Sequence, residues 1–354
     1  MCQHGQQVLP GLRPQLEERF GTLLFKNMEI SVRCMKPEIM ELMQEENKLT
    51  SEYQKGDEVL IAHGLALGVA VLHQLVVQLV QLLPVVLEPL APDTKEFIDF
   101  LYDGELLDVL SKEGKAPGGY CTDFAAYKAP FIFSNFNGTS GDVDVLTHEA
   151  GHAFAFYRAA RKGYLSALMS PTMEGCETHS MSMEFLTAPW HEKFFGPVTR
   201  KYEIGHCEDS LIFIPYGCMV DEFQHIMYEK PELTPEQRNQ TWLELEKKYR
   251  PWIDYEDLPS YSRGARWQQQ THIYMSPFYY IDYCMAQTMA HQFWLASMTD
   301  REAAWKKYLA FVDQGGTKTF EDLVTGAGMK LPYEAGCIKE IGAAISKWID
   351  ENPL

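Results

Sequence analysis

The five residues from His148 to His152, HEAGH, are of the types that bind and use a zinc ion. On a helix, positions i and i+4 share a face, so His148 and His152 can hold one metal ion between them. Glu149 then lies beside the metal without binding it, where a general base can act on metal-bound water. The same residues could also be two helical histidines beside a carboxylate, so the surrounding sequence has to decide.

The segments around this motif predict a strand followed by a helix. Residues 130–136, PFIFSNF, are rich in aromatic and β-branched residues, and the Asn-Gly pair at 137–138 indicates a turn after them. Residues 142–155 place apolar side chains beside the histidines at helical spacing. This order suits a metallopeptidase, because an extended substrate can add to the edge of the strand and lie across the metal. Asn135 and Phe136, at the end of the strand, are candidates for binding substrate.

A zinc site needs a further protein ligand, and its distance along the chain separates the classes of zinc peptidase. The metzincin pattern has a histidine six residues after the second one, but that position is Arg158. A glutamate after 18 intervening residues would suggest an aminopeptidase-like site, but that position is Pro171. Glu174 and Glu177 are the available carboxylates, and a helix is predicted over residues 178–187.

We choose Glu177 as the third ligand because Glu184, seven residues later, falls on the same helix face. Glu184 could accept a hydrogen bond from a ligand imidazole, which such sites usually need. The alternative for Glu184 is a solvated or salt-bridged carboxylate. His179 is a competing ligand, but on a helix it points about 160° away from Glu177.

Several longer segments resemble the oligoendopeptidase F branch of the thimet oligopeptidase family of zinc metallopeptidases. The resemblance covers roughly residues 93–350 and is carried by residues 114–120 (GKAPGGY), 130–139 (PFIFSNFNGT), 142–152 (DVDVLTHEAGH), 177–184 (ETHSMSME), 221–225 (DEFQH) and 272–283 (HIYMSPFYYIDY). It implies a mainly α fold, with a zincin-type catalytic domain and a small β-sheet beside the HExxH helix. It also implies one Zn²⁺ per chain held by His148, His152 and Glu177, with Glu149 as the catalytic carboxylate, and a channel for short unstructured peptides.

Residues 272–283 contain side chains that could stabilise the charge formed during peptide hydrolysis. Negative charge builds on the scissile carbonyl oxygen, and a Tyr hydroxyl or His N–H placed there lowers the barrier. The resemblance assigns this catalytic role to His272, Tyr280 and Tyr283. Tyr279 remains a candidate for binding substrate, because the alignment within the tyrosines is uncertain by one residue. The alternative is that these tyrosines are half-buried packing residues.

The predicted function is that of a zinc-dependent metalloendopeptidase that hydrolyses internal bonds of short oligopeptides. A zinc-bound water attacks the peptide bond, and Glu149 is the general base. One alternative is a truncated, catalytically impaired metal-binding homologue with a binding or structural role, because the family chain is considerably longer. The presence of Glu149 favours the enzyme. A hydrolase acting on a non-peptide substrate is a further alternative, because metal ligands alone do not exclude it.

The composition is that of a globular protein with 46% hydrophobic and 23% charged residues. The net charge of −18 argues against a nucleic acid partner, since phosphate binding requires basic patches. Eight cysteines without a CxxC pair predict reduced thiols and a cytoplasmic location. The amino-terminal residues lack the basic and apolar pattern of a signal peptide. The oligomeric state is unknown.

The amino-terminal quarter resembles the family least. Residues 1–92 are predicted to be a divergent or truncated helical segment, and residues 93–354 the catalytic domain. Residues 59–87 contain no charged side chain and are long enough to permit a membrane span. A stripe of three glutamines and the interruption at Pro84 argue against a span, so a soluble or irregular helical segment is favoured.

Overall fold

The computed structural model describes residues 78–116, 118–255 and 258–354 of the chain. This part is mainly helical and contains a three-stranded sheet, as the sequence predicted. From residue 92 onward the main helices are α1 (Pro92–Asp103), α2 (Ser140–Lys162), α3 (Met173–Leu186), α4 (Thr199–Glu229), α5 (Pro235–Tyr249), α6 (Tyr280–Thr299), α7 (Arg301–Val312), α8 (Phe320–Gly326) and α9 (Cys337–Glu351). Single helical turns lie at Glu192–Phe195, Pro259–Ser262 and His272–Met275.

Two compact units make up the described part of the chain. The larger unit contains residues 78–222 and 272–354, and the smaller unit contains residues 223–271. This division does not coincide with the predicted boundary at residue 92. Residues 78–87 form a helix whose buried leucines belong to the hydrophobic core of the larger unit.

The sheet has the order β1-β3-β2, with β1 (Leu107–Leu110), β2 (Tyr120–Phe124) and β3 (Ala129–Phe136). β3 pairs in parallel with β1 and antiparallel with β2. The predicted strand is therefore confirmed as β3, but the expectation that a substrate adds to its edge is wrong. β3 is the central strand, so both of its edges are already paired.

The end of β3 is tied to the start of α2 by one carboxylate. Asp142, in the first turn of α2, accepts hydrogen bonds from the backbone N–H groups of Asn137 at 2.9 Å and Gly138 at 2.6 Å. Gly138 has a φ of 82°, which favours glycine at this turn. The turn predicted at 137–138 therefore fixes the direction in which α2 leaves the sheet.

The inner face of α2 packs into the core of the larger unit. Leu146, Ala150 and Ala153 are fully buried, together with large aromatic residues such as Phe97 of α1. Because these positions repeat every three or four residues, His148, two residues after Leu146, points to another side of the helix. Because the core covers this face of α2, the histidines lie on a face that remains available to bind a metal ion.

The smaller unit is built around a buried tryptophan of α5. Trp242 is buried, and its ring centroid lies 5.1 Å from that of Phe223, with the ring planes nearly perpendicular. Trp267 packs on Phe223 at 5.3 Å and donates its indole N–H to the side chain of Asn239 at 2.9 Å. α5 begins at Pro235, where the first turn of a helix tolerates a residue without a backbone N–H.

The remaining expectations on organisation have mixed outcomes. The last described helix, α9, begins at Cys337, directly after Gly336, whose backbone is in the left-handed region. Six cysteines of the described residues are free thiols. None of the helices described is both long and apolar enough to span a membrane. Residues 59–77 of the uncharged segment lie outside the described part of the chain.

Candidate metal centre

The structure brings the three predicted zinc ligands together. His148, His152 and Glu177 each offer one ligand atom, and these atoms all lie within 4.8 Å of one another. Oε2 of Glu177 lies 3.2 Å from Nε2 of His148 and 3.4 Å from Nε2 of His152. The two histidines come from one turn of α2 and the carboxylate from α3, so the site depends on how closely these helices approach each other.

Gly151, between the two histidines, allows that approach. A Cβ atom at this position would lie 2.6 Å from the carbonyl oxygen of His179 and 2.7 Å from the Cα of Ser180. The backbones of α2 and α3 therefore meet at the glycine. Glu177 lies within one turn of this contact, which brings its carboxylate to the histidines.

The ring of His148 is oriented by a second carboxylate. Its Nδ1 lies 2.7 Å from Oε1 of Glu184, so the partner predicted for Glu184 is confirmed. An ionised carboxylate only accepts hydrogen bonds, so Nδ1 carries the proton and Nε2 directs its lone pair toward Glu177. A nitrogen lone pair facing a carboxylate oxygen at 3.2 Å is repulsive, so a proton or a metal cation between the two atoms is favoured.

The charges at the site also favour a cation. Burial opposes protonation of His148, but hydrogen bonds to Glu177 and Glu184 raise its pKa well above the usual range. Burial would raise the pKa of Glu184, yet His148 and His206 lower it to about 2. Two imidazoles and a carboxylate are a donor set that hydrolytic zinc sites use. The residues present therefore fit a zinc ion.

Glu177 is held on both carboxylate oxygens by side chains of this unit. The hydroxyl of Tyr279 donates a hydrogen bond to Oε1, and Oγ of Ser180 donates to Oε2 at 3.1 Å. Tyr279, expected to bind substrate, thus contacts a proposed ligand and also lines the cavity over it. Sequence reasoning missed Ser180, although its position three residues after Glu177 on a helix is the available signal.

Glu149 lies beside the ligands and faces the same cavity. Its side chain is buried, with 7% of its surface exposed, and burial raises its pKa although His148 and His152 counteract part of the effect. The backbone N–H of Cys121 in β2 donates a hydrogen bond to this carboxylate. Glu149 is therefore placed between the ligands and β2, the edge strand that sequence reasoning did not single out.

A cavity of about 340 Å³ opens over the ligands. β2 forms one wall, and the segment before α3 forms another. The lining residues are Gly119, Tyr120, Cys121, Thr122, Asp123, His148, Glu149, His152, Ala155, Phe156, Met169, Ser170, Pro171, Met173, Cys176, Glu177, His179, Tyr279 and Tyr283. The cavity thus combines the metal ligands, a candidate base and two tyrosines.

Of the three residues predicted to stabilise the oxyanion, Tyr283 lines the cavity. His272 and Tyr280 are not among the residues that line it. Tyr280 is 9% exposed, and its ring centroid lies 5.1 Å from that of His272. The ring of His272 in turn lies 5.9 Å from that of Tyr283. His272 and Tyr280 are therefore both in ring contact with the tyrosine that faces the cavity.

Two other candidates from the sequence, Asn135 and Phe136, are not among the residues that line the cavity. The amide of Asn135 donates to the backbone carbonyls of Ala116 and Gly118, at 2.8 Å and 2.9 Å, and so holds the loop before β2. Phe136 is 2% exposed and belongs to the hydrophobic core, so the structure does not bring it to the cavity. His179 is outside the ligand group, and burial lowers its pKa to about 3.

Known peptidases resemble this chain in both sequence and fold. Residues 95–343 match Peptidase family M3. The chain is 24% identical over 253 residues to the oligoendopeptidase F (chromosomal) of Lactococcus lactis subsp. cremoris, a match that covers 65% of this chain and 38% of that protein.

Two solved structures share the fold at higher identity. A structure of PZ peptidase A with an inhibitor has a TM-score of 0.74 and 48% identity, covering 77% of this chain and 49% of that one. A provisionally assigned oligoendopeptidase F from Bacillus anthracis str. Ames has a TM-score of 0.68 and 45% identity, covering 78% and 47%. The chain thus spans about half the length of these solved relatives.

The resemblance and the zincin-type fold class expected from the sequence are confirmed by these comparisons. The family match extends over most of the chain and includes all three proposed ligands and Glu149. The chain belongs to Peptidase family M3.

Proposed function

We propose that this chain is a zinc-dependent metalloendopeptidase that cleaves internal bonds of short peptides. The observation that carries the proposal is the convergence of His148, His152 and Glu177 in a cavity that Glu149 also lines. Membership of Peptidase family M3 supports a peptidase. The six free thiols support a cytoplasmic location, which is part of the same proposal.

A zinc ion held by the two histidines and Glu177 would polarise a water molecule and the scissile carbonyl. Glu149 supplies the base. Its carboxylate lines the cavity next to the ligands without belonging to the ligand group, so it can accept the proton of the attacking water. Burial raises its pKa, which makes its carboxylate a stronger base toward the attacking water.

β2 is suited to hold the substrate backbone. One of its edges pairs with β3, and Tyr120 to Asp123 on this strand line the cavity. An extended peptide can pair with the other edge through main-chain hydrogen bonds, which do not depend on side-chain identity. Such pairing requires an unfolded peptide backbone, which is why we propose short unstructured peptides as substrates.

The activity can be tested by removing and restoring the metal. We expect the chain to cleave a quenched fluorescent peptide, to lose this activity with a chelator and to regain it with about one equivalent of zinc. Mass spectrometry of the products should show internal cleavage. Full cleavage by metal-free protein would contradict the proposal. Zinc binding without cleavage would support the metal-binding homologue instead.

Tyr283 is the hydroxyl that we expect to stabilise the oxyanion. It lines the cavity, and burial raises its pKa to about 12, so it remains a hydrogen-bond donor at neutral pH. Tyr283→Phe should lower kcat by about 100-fold, the typical effect of removing one oxyanion donor, and leave zinc affinity unchanged. Tyr280→Phe, compared in the same assay, should have a much smaller effect. A larger loss for Tyr280→Phe would transfer the role to Tyr280.

A further inference from the structure

Glu184, the partner of His148, has a second contact beyond the metal centre. Its Oε1 lies 2.7 Å from Nδ1 of His148, and its Oε2 lies 2.9 Å from Nε2 of His206 on α4. Because an ionised carboxylate only accepts, both ring nitrogens donate to it. Each of the two histidines therefore donates a hydrogen bond to a different oxygen of the Glu184 carboxylate.

The ring of His206 is itself fixed by aromatic neighbours. Its centroid lies 4.5 Å from that of Phe185 and 5.6 Å from that of Tyr202, which stacks with an interplanar angle of 11°. The hydroxyl of Tyr202 donates to Asp144, one helical turn before His148 on α2. Through one face of α4, His206 and Tyr202 thus contact both helices that carry the ligands.

Removing the His206 donor would disturb the contact between Glu184 and His148. Glu184 has 13% of its side-chain surface exposed, so a free carboxylate oxygen there has little access to solvent. A buried acceptor without a donor is unfavourable, so the carboxylate would rotate toward another donor. This rotation weakens its hold on Nδ1 of His148, and with it the direction of the Nε2 lone pair.

We propose that His206 is a positioning residue of the metal centre, which fixes Glu184 so that Glu184 fixes the ring of His148. This inference rests on the proposed zinc site. His206 is outside both the ligand group and the residues that line the cavity, so its effect on the metal passes through Glu184. Replacing a residue that hydrogen-bonds directly to a ligand, as Glu184 does to His148, usually changes metal affinity, so loss of the residue that holds Glu184 should also weaken zinc binding.

The test measures zinc dissociation constants by competition with a chromogenic chelator. His206→Phe keeps an aromatic ring beside Phe185 but removes the donor, and we expect it to weaken zinc binding by about 10- to 100-fold. His206→Gln retains an N–H donor and should recover most of this loss. Circular dichroism of the metal-free variants checks folding. If His206→Phe does not fold, His206→Asn takes its place, because its shorter amide does not reach Oε2.

A double-mutant cycle separates positioning from a merely structural role. If His206 acts through Glu184, zinc binding by Glu184→Gln should weaken little further when His206→Phe is added. A structural role would make the two losses additive. His291→Phe is the matched control, since His291 is also buried against Phe185, at 5.4 Å, but hydrogen-bonds to Ser210 rather than to Glu184. Its zinc affinity should equal that of the wild type.

Three outcomes would overturn the inference, and only the third would also overturn the proposed function. Equal zinc affinity of the wild type and a folded His206→Phe variant, or additive losses in the cycle, would overturn the role of His206 alone. Absence of zinc binding by the wild type would overturn both this inference and the proposed function.

Discussion

Glu149→Gln is expected to retain zinc and to lose about 10³- to 10⁴-fold of its peptide cleavage, near the upper range for a general base. Glutamine has nearly the same shape as glutamate, so it fits the position beside the ligands and β2. It has no basic carboxylate oxygen, so it cannot accept the proton of the attacking water. The measurement pairs kcat/KM for a quenched fluorescent peptide with the zinc content of the same sample.

Glu174→Gln is a suitable control because Glu174 was the other candidate ligand in the sequence. It lies outside the ligand group and accepts a hydrogen bond from Thr172 at 2.8 Å. We expect this variant to keep both zinc and activity close to the wild type. Loss of zinc from Glu149→Gln would show that Glu149 is a ligand, and retained cleavage would refute its role as the base.

The convergence of the proposed ligands could be predicted because each part of the group depends on local helix geometry. His148 and His152 lie one turn apart, and Glu177 and Glu184 lie two turns apart. The helical repeat therefore places each pair on one face before any tertiary contact is known. The structure brings the two faces together, with Glu184 bonded to Nδ1 of His148. This agreement explains why the inner part of the site was accessible from the sequence.

The substrate-facing residues could not be predicted in the same way. The edge strand is β2, because β3 is paired on both sides, and strand order is set by long-range pairing rather than by local pattern. Phe136 continues the alternation of β3 into the core, so its side chain faces away from the cavity. The sequence pattern predicted that β3 is a strand, but it did not show that β3 is the central strand of the sheet.

The tyrosines illustrate a related difficulty. Tyr279, Tyr280 and Tyr283 are three tyrosines within five positions. Their roles differ only because their side chains point in different directions. Tyr279 donates to Glu177, Tyr280 is buried, and Tyr283 lines the cavity. His206 was not singled out either, since its contact with Glu184 spans 22 residues and joins two helices. Such contacts follow from helix packing, which the local pattern does not specify.

Gly151→Ala is expected to destabilise the metal-free protein by about 1–3 kcal/mol, the usual cost of overpacking a buried contact, and to weaken zinc binding. The added methyl would lie 2.6 Å from the carbonyl oxygen of His179. Backbone atoms cannot move aside as a flexible side chain can, so α2 and α3 must separate. Glu177 then moves away from both histidines. Urea unfolding of the metal-free protein and a zinc competition titration measure the two effects.

Gly342→Ala provides the matched control, because the same methyl is added inside another helix. Gly342 lies in the middle of α9, and a Cβ there would have no atom within 4 Å. Alanine has the higher helix propensity, so this variant should be more stable by about 0.5–1 kcal/mol and should bind zinc as the wild type does. The two substitutions are thus expected to change stability in opposite directions. If Gly151→Ala were also stabilising and bound zinc normally, the approach of the two helices at Gly151 could not be what brings Glu177 to the histidines.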